Sequence, residues 1–227
     1  MRILSYVVRF DAGCAPNPFG GRLTLVTCKP GIRRTAVEGD LIVGTGSATF
    51  PGNDRLIFAA KVAATVPLED YGSNPEYRDK IPSFDGEPWR RYGDNYYFME
   101  NGVWRQRKNK HHPLEALEKD VSGKNALICD EFWYFGRCAV QIPSHCRAII
   151  KKGPGFKIIE DTELVHSLNS WLKQMKPGLR GKPCLGGDDL VFCATTDHVD
   201  FSSRAVTAGS SQRIGLPRRS TKCRRIC

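Results

Sequence analysis

Residues 28–66 read CKPGIRRTAVEGDLIVGTGSATFPGNDRLIFAAKVAATV, and this stretch decides the fold class. Two apolar runs of strand length, LIVGTGS and RLIFAAKVAATV, are joined by a loop that contains Pro51-Gly52-Asn53. Apolar runs separated by such a turn signal favour two neighbouring strands. Before them, KPGIRRTAVEGD predicts one or two helical turns, with Pro30 at the start and Gly39 at the stop.

The loop GTGSATFPG is rich in Gly, Ser and Thr, as the phosphate-binding loops of nucleotide enzymes are. A phosphate loop of the G-x-x-x-x-G-K-[ST] type needs a Lys to reach the phosphates, and this loop has none. A dinucleotide-binding fingerprint needs a third glycine that opens a helix, and here a strand follows. We therefore interpret the loop as a connection between strands.

The rest of the chain consists of short strand signals and few helices. RILSYVVRF and RLTLVTC read as strands, and NALICDEFWYFGRCAVQIP reads as two strands around Gly136. Residues 82–110 read as irregular. The clearest helix is DTELVHSLNSWLKQMKPG, which ends at Pro177-Gly178 and whose apolar face comprises Leu164, Val165, Leu168, Trp171, Leu172 and Met175. Because no βαβα alternation is present, we expect an α+β fold built on a small β-barrel or a strongly curved sheet with peripheral helices.

Charge is distributed unevenly along the 227 residues, whose net charge is +10. After Asp200 the sequence contains no acid and seven Lys or Arg residues. The sequence thus predicts a folded domain at 1–195 and a basic, flexible tail at 196–227 that contacts phosphates without sequence preference. A merely solubilising tail is the alternative.

The N-terminal segment MRILSYVVRFDAG lacks the small-residue cleavage site of a signal peptide. No apolar run is long enough to span a membrane. We therefore expect a cytoplasmic protein with no membrane partner, in which the nine cysteines are reduced thiols.

Several segments resemble known families of nucleic-acid-associated domains. Gly39-Asp40, the strands after it and YGSNPEYRDK resemble the PUA-like superfamily, especially its EVE and YTH members. SYVVRFDAGCAPNPFGG, TCKPGIRRTA, GDLIVGTGS, YGDNYY, FWYFG and WLKQMKPGLRGKPC resemble the nucleotide modification associated domain 2 family more closely. The resemblance implies a PUA/EVE-like β-barrel that binds nucleic acid, and a role in DNA base hypermodification systems of phages and bacteria.

Residues 88–112 interleave aromatic and basic side chains, as proteins that stack bases and neutralise phosphates do. A hairpin with a solvated basic edge is the structural alternative. In KPGIRR, a pair of arginines beside a helix start is a further candidate phosphate site, and FWYFG offers aromatic side chains on alternating faces of a strand. The candidate nucleic-acid-binding residues are Arg33, Arg34, Trp89, Arg90, Arg91, Tyr92, Tyr96, Trp104, Arg105, Arg107 and Trp133.

Candidate catalytic residues lie mainly on the Pro-rich loop FDAGCAPNPF, because rigid loops often carry function. Asp11 would act as a base and Cys14 or Cys28 as a nucleophile, with Asn17 and Asp94 as further candidates. Buried, unreactive thiols are the alternative. The cysteines and histidines show no four-ligand spacing, so we expect neither a metal nor a cofactor.

Three functions follow from these observations. The favoured one is recognition of nucleic acid, chiefly DNA with a modified or flipped base, through an aromatic pocket flanked by basic residues. The alternative is a base- or nucleotide-modifying enzyme that uses the same pocket. The third is an adaptor that binds other components of a base-modification system.

Overall fold

The computed structural model describes residues 1–49 and 51–185. These residues form a mixed α+β structure, as the sequence predicts, with three sheets and few helices. The predicted boundary at 195 and the predicted basic tail at 196–227 lie outside the described residues.

Twelve strands are present among the described residues. In chain order they are β1 (Ile3–Val7), β2 (Leu23–Leu25), β3 (Leu41–Thr45), β4 (Arg55–Lys61), β5 (Ala64–Pro67), β6 (Tyr97–Glu100), β7 (Val103–Gln106), β8 (Asn125–Cys129), β9 (Glu131–Tyr134), β10 (Val140–Gln141), β11 (Phe156–Ile159) and β12 (Gly178–Leu179). The strands predicted on the two sides of the Pro51-Gly52-Asn53 loop are confirmed: LIVGTGS contains β3, and RLIFAAKVAATV contains β4 and most of β5.

The largest sheet has the order β11-β1-β3-β4-β9-β12, with β10 also paired to β4. The β1–β3 and β9–β12 pairs are parallel and the others are antiparallel. A second sheet has the order β2-β8-β5, and β6 and β7 form a hairpin. The outer strands β11 and β12 do not pair with each other, so the described strands form an open sheet and no closed barrel.

Helices are short and peripheral in the described part of the chain. They are α1 (Pro30–Thr35), α2 (Leu68–Ser73), α3 (Leu117–Val121) and α4 (Thr162–Leu172). The 3₁₀ helices cover Pro75–Lys80, Pro88–Tyr92, Leu114–Ala116, Gly136–Cys138 and Ser144–Ile149. The sequence signals for α1 and α4 are confirmed, and Asp161 caps α4 by accepting the N–H groups of Glu163 and Leu164.

The main sheet buries side chains on both faces. Phe132 and Tyr134 belong to one core with Leu4 and Phe58, while Trp133 and Phe135 belong to the opposite core, which α4 covers. This alternation is the one expected of FWYFG in a strand. Both pairs are buried because the sheet lies between two apolar layers.

Two expectations are corrected by the structure. Residues 82–110 are not irregular throughout, because they contain the hairpin β6–β7. The strands predicted around Gly136 meet instead at Asp130, between β8 and β9. Gly136 has φ +51°, and a Cβ on it would lie 1.9 Å from the Lys182 carbonyl oxygen, so this glycine permits a close backbone approach.

In the described part of the chain, no helix combines the length and the apolar character that a membrane crossing requires.

Candidate functional site

A cleft of about 530 Å³ opens where the loop before β2 faces residues 176–180, which follow α4. Phe19 lies in its wall beside Trp89, with ring centroids 6.3 Å apart. The opposite wall forms where the chain, after α4 has ended at Leu172 and thus before the predicted stop at Pro177-Gly178, returns as β12 and pairs with β9. The lining consists of Pro18, Phe19, Gly20, Gly21, Trp89, Asp130, Phe132, Lys176, Pro177, Gly178, Leu179 and Arg180.

Charged groups at the rim of the cleft are mainly cationic. Lys176 is exposed and Arg180 is half-buried, and neither forms an ion pair with another described residue. Asp130 is 66% exposed, and its carboxylate lies 3.8 Å from the Arg22 guanidinium. The cleft therefore combines apolar and aromatic walls with two cations available to a ligand.

Arg33 and Arg34, the predicted phosphate ligands, lie in opposite environments. Arg33 is fully buried and donates to the backbone carbonyls of Cys28 (2.8 Å), Asn125 (3.0 Å) and Asp120. Burial lowers the pKa of Arg33 to about 10. Arg34 is exposed and donates to the Ser122 carbonyl at 2.7 Å. Of the two, only Arg34 faces solvent.

Most aromatic candidates from residues 88–112 point into the protein. Tyr92 and Tyr96 are buried, and Tyr92 stacks on His111 with ring centroids 5.9 Å apart. Trp104, on β7, packs against the core that contains Tyr96. Trp89 is half-buried and is the candidate aromatic from this segment that lines the cleft.

The basic candidates of the same segment have protein partners of different kinds. Arg107 donates to Asn95 Oδ1 and to the Gly72 carbonyl, both at 2.8 Å. Arg105 is exposed and pairs with Glu100 at 3.2 Å. Arg90 and Arg91 are half-buried on the 3₁₀ helix Pro88–Tyr92.

Trp133, the candidate from FWYFG, is 2% exposed, and its Nε1 donates to the Met175 carbonyl at 3.0 Å. The main sheet therefore holds this indole in the core under α4. Its neighbour Phe132, on the other face of β9, reaches the cleft instead.

Asp11 and Cys14 are buried on the loop after β1. The Asp11 carboxylate accepts a hydrogen bond from the Tyr134 hydroxyl at 2.5 Å and another from the Cys184 N–H at 3.0 Å. Burial raises the pKa of Asp11, and it raises the pKa of Cys14 to about 12. A thiol with so high a pKa is protonated at neutral pH and is a weak nucleophile.

Asn17 and Asp94 belong to a buried polar network around Lys80. The Lys80 ammonium donates to Asn17 Oδ1 at 2.9 Å, to the Arg22 carbonyl at 2.8 Å and to the Phe19 carbonyl. Asp94 accepts from Thr24 Oγ1 and from the Tyr71 hydroxyl, at 2.7 and 2.8 Å. Burial raises the pKa of Asp94 to about 6 and lowers that of Lys80 to about 8. This network fixes the loop that carries Phe19 into the cleft.

Cys28 belongs to a second cluster, with His112 and Asp120. Cys28 Sγ lies 3.5 Å from His112 Nε2, and His112 Nδ1 lies 2.6 Å from Asp120 Oδ2. All three residues are buried. Cys28 is disulfide-bonded, whereas Cys14, Cys129, Cys138, Cys146 and Cys184 are free, so the expectation of reduced thiols is confirmed for those five and wrong for Cys28.

Sequence reasoning missed His112 and Asp120 as partners of Cys28. These residues are 84 and 92 positions away along the chain, so no local motif connects them. Phe19, Lys176 and Arg180 were also missed, because their convergence depends on how the loop before β2 meets β12. For these residues the sequence carries no signal beyond the quoted family motifs around them.

One comparison identifies a family, and two give no match. The family model described as nucleotide modification associated domain 2 matches residues 1–187. No curated protein and no solved structure matches the chain significantly. The matched range contains the cleft and the Cys28 cluster.

Proposed function

The chain belongs to the nucleotide modification associated domain 2 family, and from this premise we propose that it recognises a modified base extruded from DNA. The base enters the cleft between Phe19, Trp89 and β12. The observation that carries the proposal is the cleft itself, which joins aromatic walls to a cationic rim.

The dimensions and lining of the cleft suit a planar ring. Its volume of about 530 Å³ falls within the range of small-ligand sites in proteins. The half-buried Trp89 indole offers a stacking face, and stacking on an aromatic side chain contributes about 1–3 kcal/mol per base. Gly20 and Gly178 leave backbone accessible at the walls, where amides can contact the edge of the ring.

The cationic rim supports phosphate binding on either side of an extruded base. Lys176 and Arg180 follow α4 closely along the chain, so both lie at one side of the cleft. Exposed Arg34 and Arg105 add positive charge elsewhere on the surface. Such contacts provide affinity that depends on salt, while the ring contacts provide selectivity.

The PUA/EVE-like relationship is part of the same proposal. It would place the chain among domains that hold one base in a pocket, although here the described sheet is open. DNA with modified bases is the proposed ligand, and other components of a base-modification system are the proposed protein partners.

An enzyme that acts in the same cleft is less well supported. Among the residues lining the cleft, the ionisable ones are Asp130, Lys176 and Arg180. The candidate catalytic groups Asp11, Cys14 and Asp94 are buried and are not among the residues lining the cleft. A recognition site needs stacking faces and hydrogen bonds, which the cleft supplies, whereas catalysis needs convergent acid and base groups.

The test is fluorescence-anisotropy binding to matched oligonucleotides that carry either an unmodified base or a hypermodified base at one position. We expect tighter binding to one modified duplex, with the mass of the DNA unchanged after incubation. RNA of the same sequence serves as the competitor. Equal affinity for all duplexes would contradict base recognition, and a change in DNA mass would favour the enzyme.

A further inference from the structure

The cluster of Cys28, His112 and Asp120 has the connectivity of a nucleophile, a base and a group that orients the base. His112 Nδ1 lies 2.6 Å from Asp120 Oδ2, and because a carboxylate accepts hydrogen bonds, Nδ1 is the donor to Asp120. His112 Nε2 is the ring nitrogen that faces Cys28 Sγ, at 3.5 Å. A thiol is activated as a nucleophile when a base lies within hydrogen-bond reach of it and a carboxylate orients that base.

Asp120 also fixes the nucleophile's own backbone. Its Oδ1 accepts the Cys28 N–H at 2.7 Å, while Arg33 Nε donates to the Cys28 carbonyl at 2.8 Å. Cys28 and the next residue, Lys29, both have left-handed backbone, with φ of 54° and 44°. Non-glycine residues adopt this conformation rarely, and it is concentrated at functional sites.

The hydrogen bonds around Asp120 favour its charged form, which is the form that can stabilise a charged His112 imidazole. Burial disfavours ionisation of Asp120, but hydrogen bonds from His112, Tyr97 and the Cys28 N–H outweigh burial and hold the pKa of Asp120 below its usual value. The Tyr97 hydroxyl donates to Asp120 Oδ2 at 2.8 Å. Asp120 is therefore ionised and able to stabilise an imidazolium at His112.

His112 is the residue of the cluster that lies at a surface depression. This residue lines a surface depression of about 310 Å³ together with Gln106, Arg107, Lys108, Asn109 and Leu114. Gln106 Nε2 donates to the His112 carbonyl at 2.8 Å and fixes the segment at the edge of the depression. Arg107 and Lys108 make the lining positive, which favours a substrate that carries negative charge.

We propose that Cys28, once reduced, is the nucleophile of a Cys28–His112–Asp120 triad that hydrolyses an ester or amide bond. Cys28 is disulfide-bonded in the structure, so a disulfide reductant, such as a dithiol or a phosphine, must first supply two electrons and two protons, which convert the disulfide into two thiols, one of them at Cys28. This activity is separate from base recognition in the cleft.

In the first half of the reaction, His112 Nε2 takes the proton of the Cys28 thiol. The thiolate forms an S–C bond to the carbonyl carbon, the C–O or C–N bond breaks, and the leaving group takes the proton from His112. In the second half, the same imidazole removes a proton from water, the water oxygen attacks the thioester carbon, the C–S bond breaks, and the imidazolium returns the proton to the Cys28 sulfur. The products are a carboxylic acid and the regenerated Cys28 thiol.

The ligand atoms of the same three side chains lie within 4.8 Å of one another, a spacing that also suits a metal ion once Cys28 is reduced. The short contact between His112 Nδ1 and Asp120 favours a hydrogen-bonded triad, because it directs the carboxylate to the imidazole. Metal analysis of the purified chain therefore belongs to the test.

The experiment uses the full-length chain, reduced with a phosphine and incubated with 4-nitrophenyl acetate. We expect an initial burst of nitrophenolate and an acetyl group on Cys28, located by peptide mass spectrometry. Cys28→Ser and His112→Gln should each lower the acylation rate by about 100-fold or more. The matched controls, Cys138→Ser at an exposed thiol and His145→Gln at an exposed imidazole, should leave the rate unchanged.

A positioning role of Asp120 is tested by the pH profile of Cys28 alkylation with iodoacetamide. Asp120→Asn should move the profile to higher pH, because the imidazolium that stabilises the thiolate loses its partner, while circular dichroism verifies the fold. Three results would each overturn the triad. The first is acylation of Cys138 and not Cys28, and the second is a Cys28 that reacts with neither reagent. The third is a stoichiometric metal ion that is present in the wild-type chain and lost in Cys28→Ser.

Discussion

Trp89, Lys176 and Arg180 line an open cleft and are at least partly exposed, whereas in the cluster around Asp120 the buried Arg33 donates to backbone carbonyls. Both regions contain residue types that bind nucleic acids on a surface. The difference is burial, because a guanidinium removed from water must satisfy its donors within the protein. The comparison separates groups that can bind a ligand from groups that hold the fold.

The largest expected effect concerns Arg33. Arg33→Ala leaves the carbonyls of Cys28, Asn125 and Asp120 without this donor, and each buried carbonyl without a partner costs about 1–3 kcal/mol. We expect the free energy of unfolding to fall by about 3–5 kcal/mol in urea titrations. Exposed Arg34→Ala is the control and should change it by less than about 0.5 kcal/mol. If the two substitutions lowered the free energy of unfolding equally, burial would not distinguish arginines that hold the fold from arginines available to a ligand.

The next effect is the pH dependence of stability at Asp94. Its folded pKa of about 6 exceeds the ordinary 3.8, so between these values the folded state binds more protons than the unfolded state. This carboxyl therefore makes the free energy of unfolding fall as pH rises from about 4 to 6, by about 3 kcal/mol in all.

Asp94→Asn should remove that part of the pH dependence, measured by urea titration at pH 4, 5, 6 and 7, where Lys80 remains largely protonated. The control is Asp85→Asn, an exposed carboxyl that should leave the slope unchanged. A wild-type slope retained in Asp94→Asn would show that other groups cause it.

A smaller effect, on binding alone, is expected at Trp89. Trp89→Ala should weaken binding of the preferred duplex by about 1–3 kcal/mol because a stacking face is lost. Its free energy of unfolding should change by less than about 1 kcal/mol, since the ring is half-buried. Phe84→Ala, at a ring that is 39% exposed outside the cleft, should leave affinity unchanged. Equal losses of affinity in both variants would show that the cleft is not the site.

The smallest effect is expected at Lys176. Lys176→Ala should reduce the magnitude of the slope of log affinity against log salt concentration by about 1. When one phosphate contact is lost, fewer counterions are released on binding. Base preference should be retained. Lys61→Ala, an exposed lysine on β4, is the control. An unchanged slope in Lys176→Ala would remove this residue from the phosphate-binding rim.

Much of the fold was predictable because it follows from local patterns. The apolar runs in residues 28–66 became β3, β4 and β5, and the stripe on residues 162–172 became α4. The short strands β11 and β12 were missed, since their partners rather than their own composition determine them. The expected barrel depends on how edge strands meet, and no local pattern encodes that closure.

The candidate site was less predictable than the fold. Trp89 was identified and lines the cleft, but Tyr92, Tyr96 and Trp133, singled out for the same reason, are buried in the structure. An aromatic residue between basic residues reads the same in sequence whether its ring faces solvent or the core.

The sequence by itself determined the α+β class, the register of alternating faces in FWYFG and the motifs of the nucleotide modification associated domain 2 family. The tertiary structure decided which of two adjacent arginines is buried, which aromatic residues meet at the cleft, and that Cys28 lies beside His112 and Asp120. The physical reason is that strand and helix periodicity is a property of neighbouring residues, whereas burial and convergence depend on contacts between residues far apart in the chain.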